Sequence, residues 1–316
     1  SDEFGASDTA TVTVRIEGKA DENTFTLTEA VDQIPGLVGS TGTDTSGDNL
    51  ILAGVGSSGN VHTLGSSDTI DGGEGTDRIN IRMDDNDLFP DMTSVEQVYA
   101  QALGAKDSSI DLINTNGVAE LWNERSTADL SIANAQELAA IGIVDGNDTE
   151  YDVQFDVDLS GGADEVTVVT KGADLAVLGT EGGANGQDFE IFNFVNSGKS
   201  VIDVLEDVTD DALLAPTTIN VSGDGLLDLD NSQYLGLTTV ASKDVAIEVD
   251  IDNGGEPDGT DTTITSTGAD DDVTLDAADG EAVAAEAGEQ AAAHVTGGSG
   301  QQDAGRLVLR IAGHGS

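Results

Sequence analysis

Along most of this chain, apolar residues come in short alternating runs that end at Gly, Asp or Asn, the pattern of half-buried β-strands between tight turns. Residues 9–18, Thr-Ala-Thr-Val-Thr-Val-Arg-Ile-Glu-Gly, alternate strictly and stop at a glycine, which predicts one strand. Comparable runs recur at residues 47–52, 94–100, 110–123, 219–223 and 237–242, and Leu307-Val308-Leu309-Arg310-Ile311 predicts a last strand that caps or edges the fold. Two stretches break the pattern. Residues 128–141, with Leu130, Ile132, Leu138 and Ile141, fit either a short helix or another pair of strands, and periodicity leaves both open. Residues 281–295 are Ala-rich, with Glu286 and Glu289 and no β-branched residue between Val283 and Val295, so propensity predicts a short helix. Residues 297–305 read as a flexible linker.

The most specific text lies at residues 64–80. Gly72, Gly73, Gly75, Asp77 and Ile79 fill every defined position of Gly-Gly-x-Gly-x-Asp-x-U-x, with U a large apolar residue, the calcium-binding repeat of parallel β-helices. Asp68 and Ile70 stand nine residues before Asp77 and Ile79, so a weaker copy precedes the full one and predicts two coils in register around one shared site. Glycine permits the positive φ of a tight turn and lets carbonyls converge. Carboxylates supply the hard oxygens of which calcium takes about six to eight. The expected metal ligands are therefore Asp68, Asp71, Gly73, Gly75 and Asp77. Shorter acidic turns at residues 160–168 and 267–275 add Asp164, Asp271 and Asp272, each weighed against an ordinary solvated turn.

Charge sharpens this reading. Eleven Lys and Arg face 61 Asp and Glu, a formal charge of −50, which repels nucleic acid and other polyanions. With 37% hydrophobic residues the chain is nonetheless expected to fold, and to lean on cations in doing so. There is no cysteine, no apolar run near the ~20 residues of a membrane span, and no signal peptide in the opening Ser-Asp-Glu-Phe, which is expected of a fragment or of export by a signal elsewhere. His62, His294 and His314 are scattered, neither His-Glu-x-x-His nor Gly-x-Ser-x-Gly occurs, and 3% aromatic residues leave little to stack on a sugar, so an enzyme is not expected. Trp122, the single Trp, is expected to stack within the fold and not to form a ligand platform.

Residues 8–18 resemble the closing strand of cadherin-like or VCBS-type immunoglobulin-like modules. From Phe25 the order of Phe-Thr-Leu-Thr, a Gly/Thr/Asp turn at 39–44, the Leu-rich run at 47–52 and the glycine-rich nonapeptide resembles bacterial S-layer proteins of the RTX kind, exported by type I secretion. That resemblance implies an all-β, calcium-stabilised parallel β-solenoid or β-roll-like array over residues 21–280. A closing strand at 1–20 would precede it, and a helix, linker and terminal strand at 281–316 would follow. It implies Ca2+ as the bound ion and a structural, self-assembling protein on the bacterial cell surface. The expected partners are further copies of itself and cell-surface polysaccharide, with no nucleic acid and no membrane span. An adhesin or biofilm-matrix segment acting as a calcium-rigidified spacer is the alternative, and the carrier region of a secreted RTX enzyme or toxin a weaker one.

Overall fold

The structure, a computed structural model, describes residues 23–34, 47–56, 62–159, 163–183, 188–208, 214 and 216–229, and further along the backbone of strands between 239 and 313. The expected strand at residues 1–20 and linker at 297–305 lie outside the described residues.

In chain order the strands wind as coils. The first two coils hold β1 (Asn23–Thr26) with β2 (Gln33–Ile34), and β3 (Asn49–Ala53) with β4 (Thr69–Asp71). Two fuller coils follow: β5 (Arg78–Met83), β6 (Asp87–Leu88) and β7 (Asp91–Thr93), then β8 (Gln97–Ala102), β9 (Ser108–Asp111) and β10 (Asn114–Asn116). After β11 (Glu120–Glu124) and β12 (Leu130–Ala135), the long strands β13 (Ala140–Phe155) and β14 (Glu165–Gly182) each bend round a corner and serve two faces. Asp145 and Asp148 in β13 and Gly172 in β14 take positive φ at these corners. The remaining coils pair β15 (Ile191–Ser197) with β16 (Lys199–Glu206), β17 (Thr218–Gly223) with β18 (Leu226–Leu229), β19 (Thr239–Lys243) with β20 (Ala246–Ile251), and β21 (Thr262–Ser266) with β22 (Asp272–Ala277). The chain closes through β23 (Val283–Ala287), β24 (Ala291–Val295) and β25 (Arg306–Gly313).

Stacking of the coils makes three columns. The first runs β1, β3, β5, β8, β11, the opening halves of β13 and β14, then β15, β17, β19, β21 and β23, every neighbour parallel. The second runs from β6 through β9, β12, the closing halves of β13 and β14, and then β16, β18, β20 and β22, again parallel. The third is a short sheet of β2, β4, β7 and β10. The chain is thus a parallel β-solenoid, and no helix occurs among the described residues. Nor is any of them part of a helix long and apolar enough to cross a membrane.

Period-two alternation places the core. In the first column Phe25, Ile51, Ile79, Val98, Leu121, Ile141, Val168, Phe194 and Val221 stand one above another in register and all are buried. Ile34, Ile70 and Met92 do the same in the third. Each such side chain contributes about 1.5–3 kcal/mol by leaving water, so the ladder of like on like holds the stack together.

Three details differ from or decide the sequence reading. Residues 281–295 hold strands β23 and β24, not a helix: Val283 to Ala287 pair with β21, and hydrogen bonding to the open end of a sheet outweighs the modest helix preference of alanine. Residues 128–141 contain β12 and the start of β13, which settles the open choice for strands. The terminal strand β25 runs antiparallel against both β22 and β24.

Candidate metal centre

The glycine-rich turn, residues 72–77, carries the chain from β4 in the third column to β5 in the first. It is pressed between the coils on either side. A Cβ on Gly72 would collide with the carbonyl oxygen of Ser94 in the following coil, and one on Gly75 would come within 2.6 Å of Gly47 in the preceding coil. Gly73 and Gly75 take φ of 92° and 128°, so the glycines are required both by conformation and by close approach.

Asp77 immediately precedes β5 and is completely buried. Its Oδ1 accepts from the backbone N–H of Asn49 at 2.7 Å and from Asn49 Nδ2 at 2.7 Å, while its own N–H donates to Glu96 Oε2 at 2.7 Å. Asn49, Asp77 and Glu96 thereby form a ladder up one corner of three successive coils. The links span 28 and 19 residues, so coil length is not constant. Asp77 Oδ2 and Asn49 Oδ1 are buried without a hydrogen-bond partner. Burial pushes the Asp77 carboxyl up to about 6; the bonds from Asn49 pull it down, and the charges of Glu96 and Asp48 push it further up.

Asp68 is also buried, but both its oxygens are used: Oδ1 accepts from Asp32 N–H at 2.8 Å and Oδ2 from Gly65 N–H at 2.6 Å. The expected pairing of Asp68 with Asp77 across two coils does not occur. Asp68 precedes β4, whose neighbours are β2 and β7, whereas Asp77 precedes β5, whose neighbours are β3 and β8, so the nine-residue echo runs along the chain and not up the stack. Asp71 is exposed at the end of β4 and its Oδ1 accepts from Gly73 N–H at 3.2 Å. Asp164 precedes β14 and donates its N–H to Glu190 Oε2 at 2.9 Å. Asp272 opens β22 opposite Arg310 of the antiparallel strand β25, and Asp271 lies outside the described residues. Among the described residues, no three His, Cys, Asp or Glu side chains converge as a ready metal cage.

Much of the acidity is spent on turns. Glu96 and Glu190 each reach the N–H of the residue just before a strand in the previous coil, and their own carbonyls accept from Ala119 and Glu120 and from Thr217 and Thr218. Glu137 caps Gly117 N–H, Asp85 caps Lys106, Asp129 caps Glu150 and Asp224 caps Gly198. Such charge-assisted bonds are roughly twice as strong as neutral ones. Sequence reasoning missed Asn49, Glu96 and Glu190. A local signal did exist for the glutamates: in Val95-Glu96-Gln97-Val98 and Phe189-Glu190-Ile191-Phe192 a Glu sits between buried apolar positions at the start of a strand.

A second acidic patch lies on the outer side of the second column. Burial raises the Asp152 carboxyl well above its ordinary range, helped by the charge and hydrogen bond of Glu150 and by Glu206 and Asp129. Gly179, in the next coil, leaves the space that a Cβ would contest with Asp152 Oδ1.

Trp122 stacks within the fold. Its ring lies 5.1 Å from that of Tyr99 with 8° between planes, Arg78 covers the far face of Tyr99, and Lys171 Nζ sits 4.3 Å over Trp122 across Gly142.

The fold places the chain in the class of parallel β-solenoid proteins. Comparison with protein-family models, curated proteins and solved structures finds no match to it.

Proposed function

We propose that this chain is a structural, self-assembling cell-surface module of the S-layer kind, exported from a bacterium and ordered outside it by calcium. The observation that carries the reading is Asp77, a completely buried carboxylate in the glycine-rich turn with one oxygen lacking any partner. A buried charge without compensation costs several kcal/mol and is normally protonated, paired or bound to a metal. Asp77 Oδ2 and Asn49 Oδ1 are hard oxygens of the type calcium takes, so the residues fit the ion; Asp68 and Asp71, whose oxygens serve N–H groups, fit it less well. Calcium, when bound, supplies the positive charge that this corner lacks. The net charge of −50 supports the same reading, because a solenoid of this acidity resists compaction where calcium is scarce and closes where it is millimolar. The parallel columns also present extended faces along the molecule, which suits lateral packing of copies.

Electron microscopy of the purified chain with calcium and with chelator tests the proposal. Sheets or filaments that disperse in chelator are expected. A monomer in calcium that binds cells would instead favour the adhesin or spacer reading.

A further inference from the structure

The outer face of the first column carries a groove of about 440 Å³ that neither calcium nor assembly explains. Its size falls within the range of small-molecule sites, roughly 300–1,000 Å³. On one side Val55 forms an isolated antiparallel bridge with His62, Gly54 N–H donates to Thr63 Oγ1 at 2.7 Å, and His62 Nε2 meets Arg82 O at 2.6 Å. Leu27, Leu52 and Val55 give that side an apolar lining. The other side is polar and comes from β5, β8 and β11, through Asn80, Arg82, Tyr99, Gln101 and Glu124.

The polar groups differ in how far they are already committed. Asn80 Oδ1 accepts from Arg78 Nε and Gln101 Nε2 donates to the carbonyl of Arg125, which leaves the Asn80 amide donors and Gln101 Oε1 toward the groove. Glu124 is held by Arg78 at 3.5 Å. Tyr99 has both faces covered, by Arg78 and by Trp122, so only its edge and hydroxyl are available. Arg82 stands apart. It is exposed, and in a chain where acids outnumber bases 61 to 11, its guanidinium makes no ion pair and no hydrogen bond among the described residues.

We propose that this groove binds a uronic-acid unit of a saccharide. The Arg82 guanidinium takes the carboxylate through two parallel N–H donors. Asn80, Gln101 and the Tyr99 hydroxyl exchange hydrogen bonds with ring hydroxyls, and the C–H face of the sugar lies against Leu52 and Val55. Neither aromatic ring serves as a stacking platform, since both are consumed in the stack of Arg78, Tyr99, Trp122 and Lys171. The acidity of the molecule limits the ligand to few charges: beyond a Debye length of about 8 Å each further uronate meets the general repulsion and not Arg82. A short acidic oligosaccharide is therefore favoured over a long polyuronate. The inference does not depend on Asp77 and stands or falls separately from calcium-ordered assembly.

The test is titration of the full chain, at fixed calcium and physiological salt, with digalacturonate, with the matching neutral disaccharide and with long polygalacturonate, followed by calorimetry and by Trp122 emission. Trp122 reports because Tyr99, which lines the groove, is stacked on it. Digalacturonate is expected to bind and to shift the emission, with the neutral sugar weaker and the polymer weaker per unit. R82Q should weaken digalacturonate by roughly tenfold or more, the loss of one charge-assisted bidentate contact, while its melting temperature stays that of the parent. K199Q, which removes an exposed cation of β16, should bind as the parent does. No binding of digalacturonate, equal binding of the neutral disaccharide, or an R82Q variant that binds like the parent would each overturn the proposal. Assembly in calcium would be untouched by any of these results.

Discussion

Asp77 shows how one side chain ties pH, metal and stability together. Its folded carboxyl titrates at about 6 against an ordinary 3.8. The folded state therefore holds a proton that the unfolded state has released, and this contribution to stability is fully present below 3.8 and is lost as pH rises through about 6. In chelator at pH 7, Asp77→Asn should raise the melting temperature, because it removes the buried charge and keeps an acceptor for Asn49. In calcium the same variant should gain much less than the parent, whereas Asp164→Asn should gain nearly as much. Differential scanning calorimetry at pH 5 and 7 checks both, and for the parent the calcium increment should shrink at pH 5, where the ion must displace a proton. A second residue-scale test uses the glycines. Gly72→Ala should cost about 1–3 kcal/mol, since its Cβ meets the backbone of Ser94, while Gly54→Ala, with open space around it, should stay within about 0.5 kcal/mol in denaturant melts. The need for these glycines was legible in the nonapeptide pattern. The partners of Asp77 were not, because Asn49 and Glu96 lie 28 and 19 residues away, and unequal coils leave no fixed period from which to read them.

Elements carry the next set of consequences. Short alternating runs announced β3, β8, β11, β17, β19 and β25, since period two follows from the pleat whatever the fold. What they could not announce was curvature: β13 and β14 are continuous strands bent at Asp145, Asp148 and Gly172. The Ala-rich segment misled for a different reason, because intrinsic helix preference is a fraction of a kcal/mol per residue and the sheet end offers backbone partners for β23. The stack of Arg78, Tyr99, Trp122 and Lys171 crosses several strands of the first column and can be tested as one object. Gly142→Ala should displace Trp122, whose ring fills the space of the missing Cβ, and change its emission; Lys171→Ala should cost only about 0.5–1 kcal/mol, the worth of an exposed cation over a ring. The bridge between Val55 and His62 beside the groove should respond to acid. Burial lowers the His62 pKa, and the neutral ring both meets Arg82 O and accepts from Leu64 N–H at 3.0 Å. A lowered base costs stability as pH falls below 6.5, so NMR titration should find His62 protonating below that value, with the signals of Gly54 and Thr63 shifting in step.

For the whole molecule, the parallel β-solenoid was legible through the glycine-rich nonapeptide and the resemblance it carries, with which the recurring short apolar runs agree. The use of the acids was less legible, since composition does not distinguish a carboxylate that caps a turn from one that waits for a cation. Asp68, Glu96 and Glu190 belong to the first kind, and Asp77 carries the mark of the second. The central claim is that calcium coordination, and not general screening, orders this acidic solenoid. The most direct test takes the chelated protein through a sodium chloride series, and separately through calcium and magnesium at matched ionic strength, with circular dichroism and light scattering read together. Screening shortens electrostatic reach to about 3 Å at 1 M salt whatever the cation. The account predicts partial recovery of β signal in sodium chloride, full β signal with assembly in calcium alone, and little beyond screening in magnesium, which demands tight octahedral geometry. Full recovery of both signal and assembly in sodium chloride without calcium, or an equal response to magnesium, would contradict it.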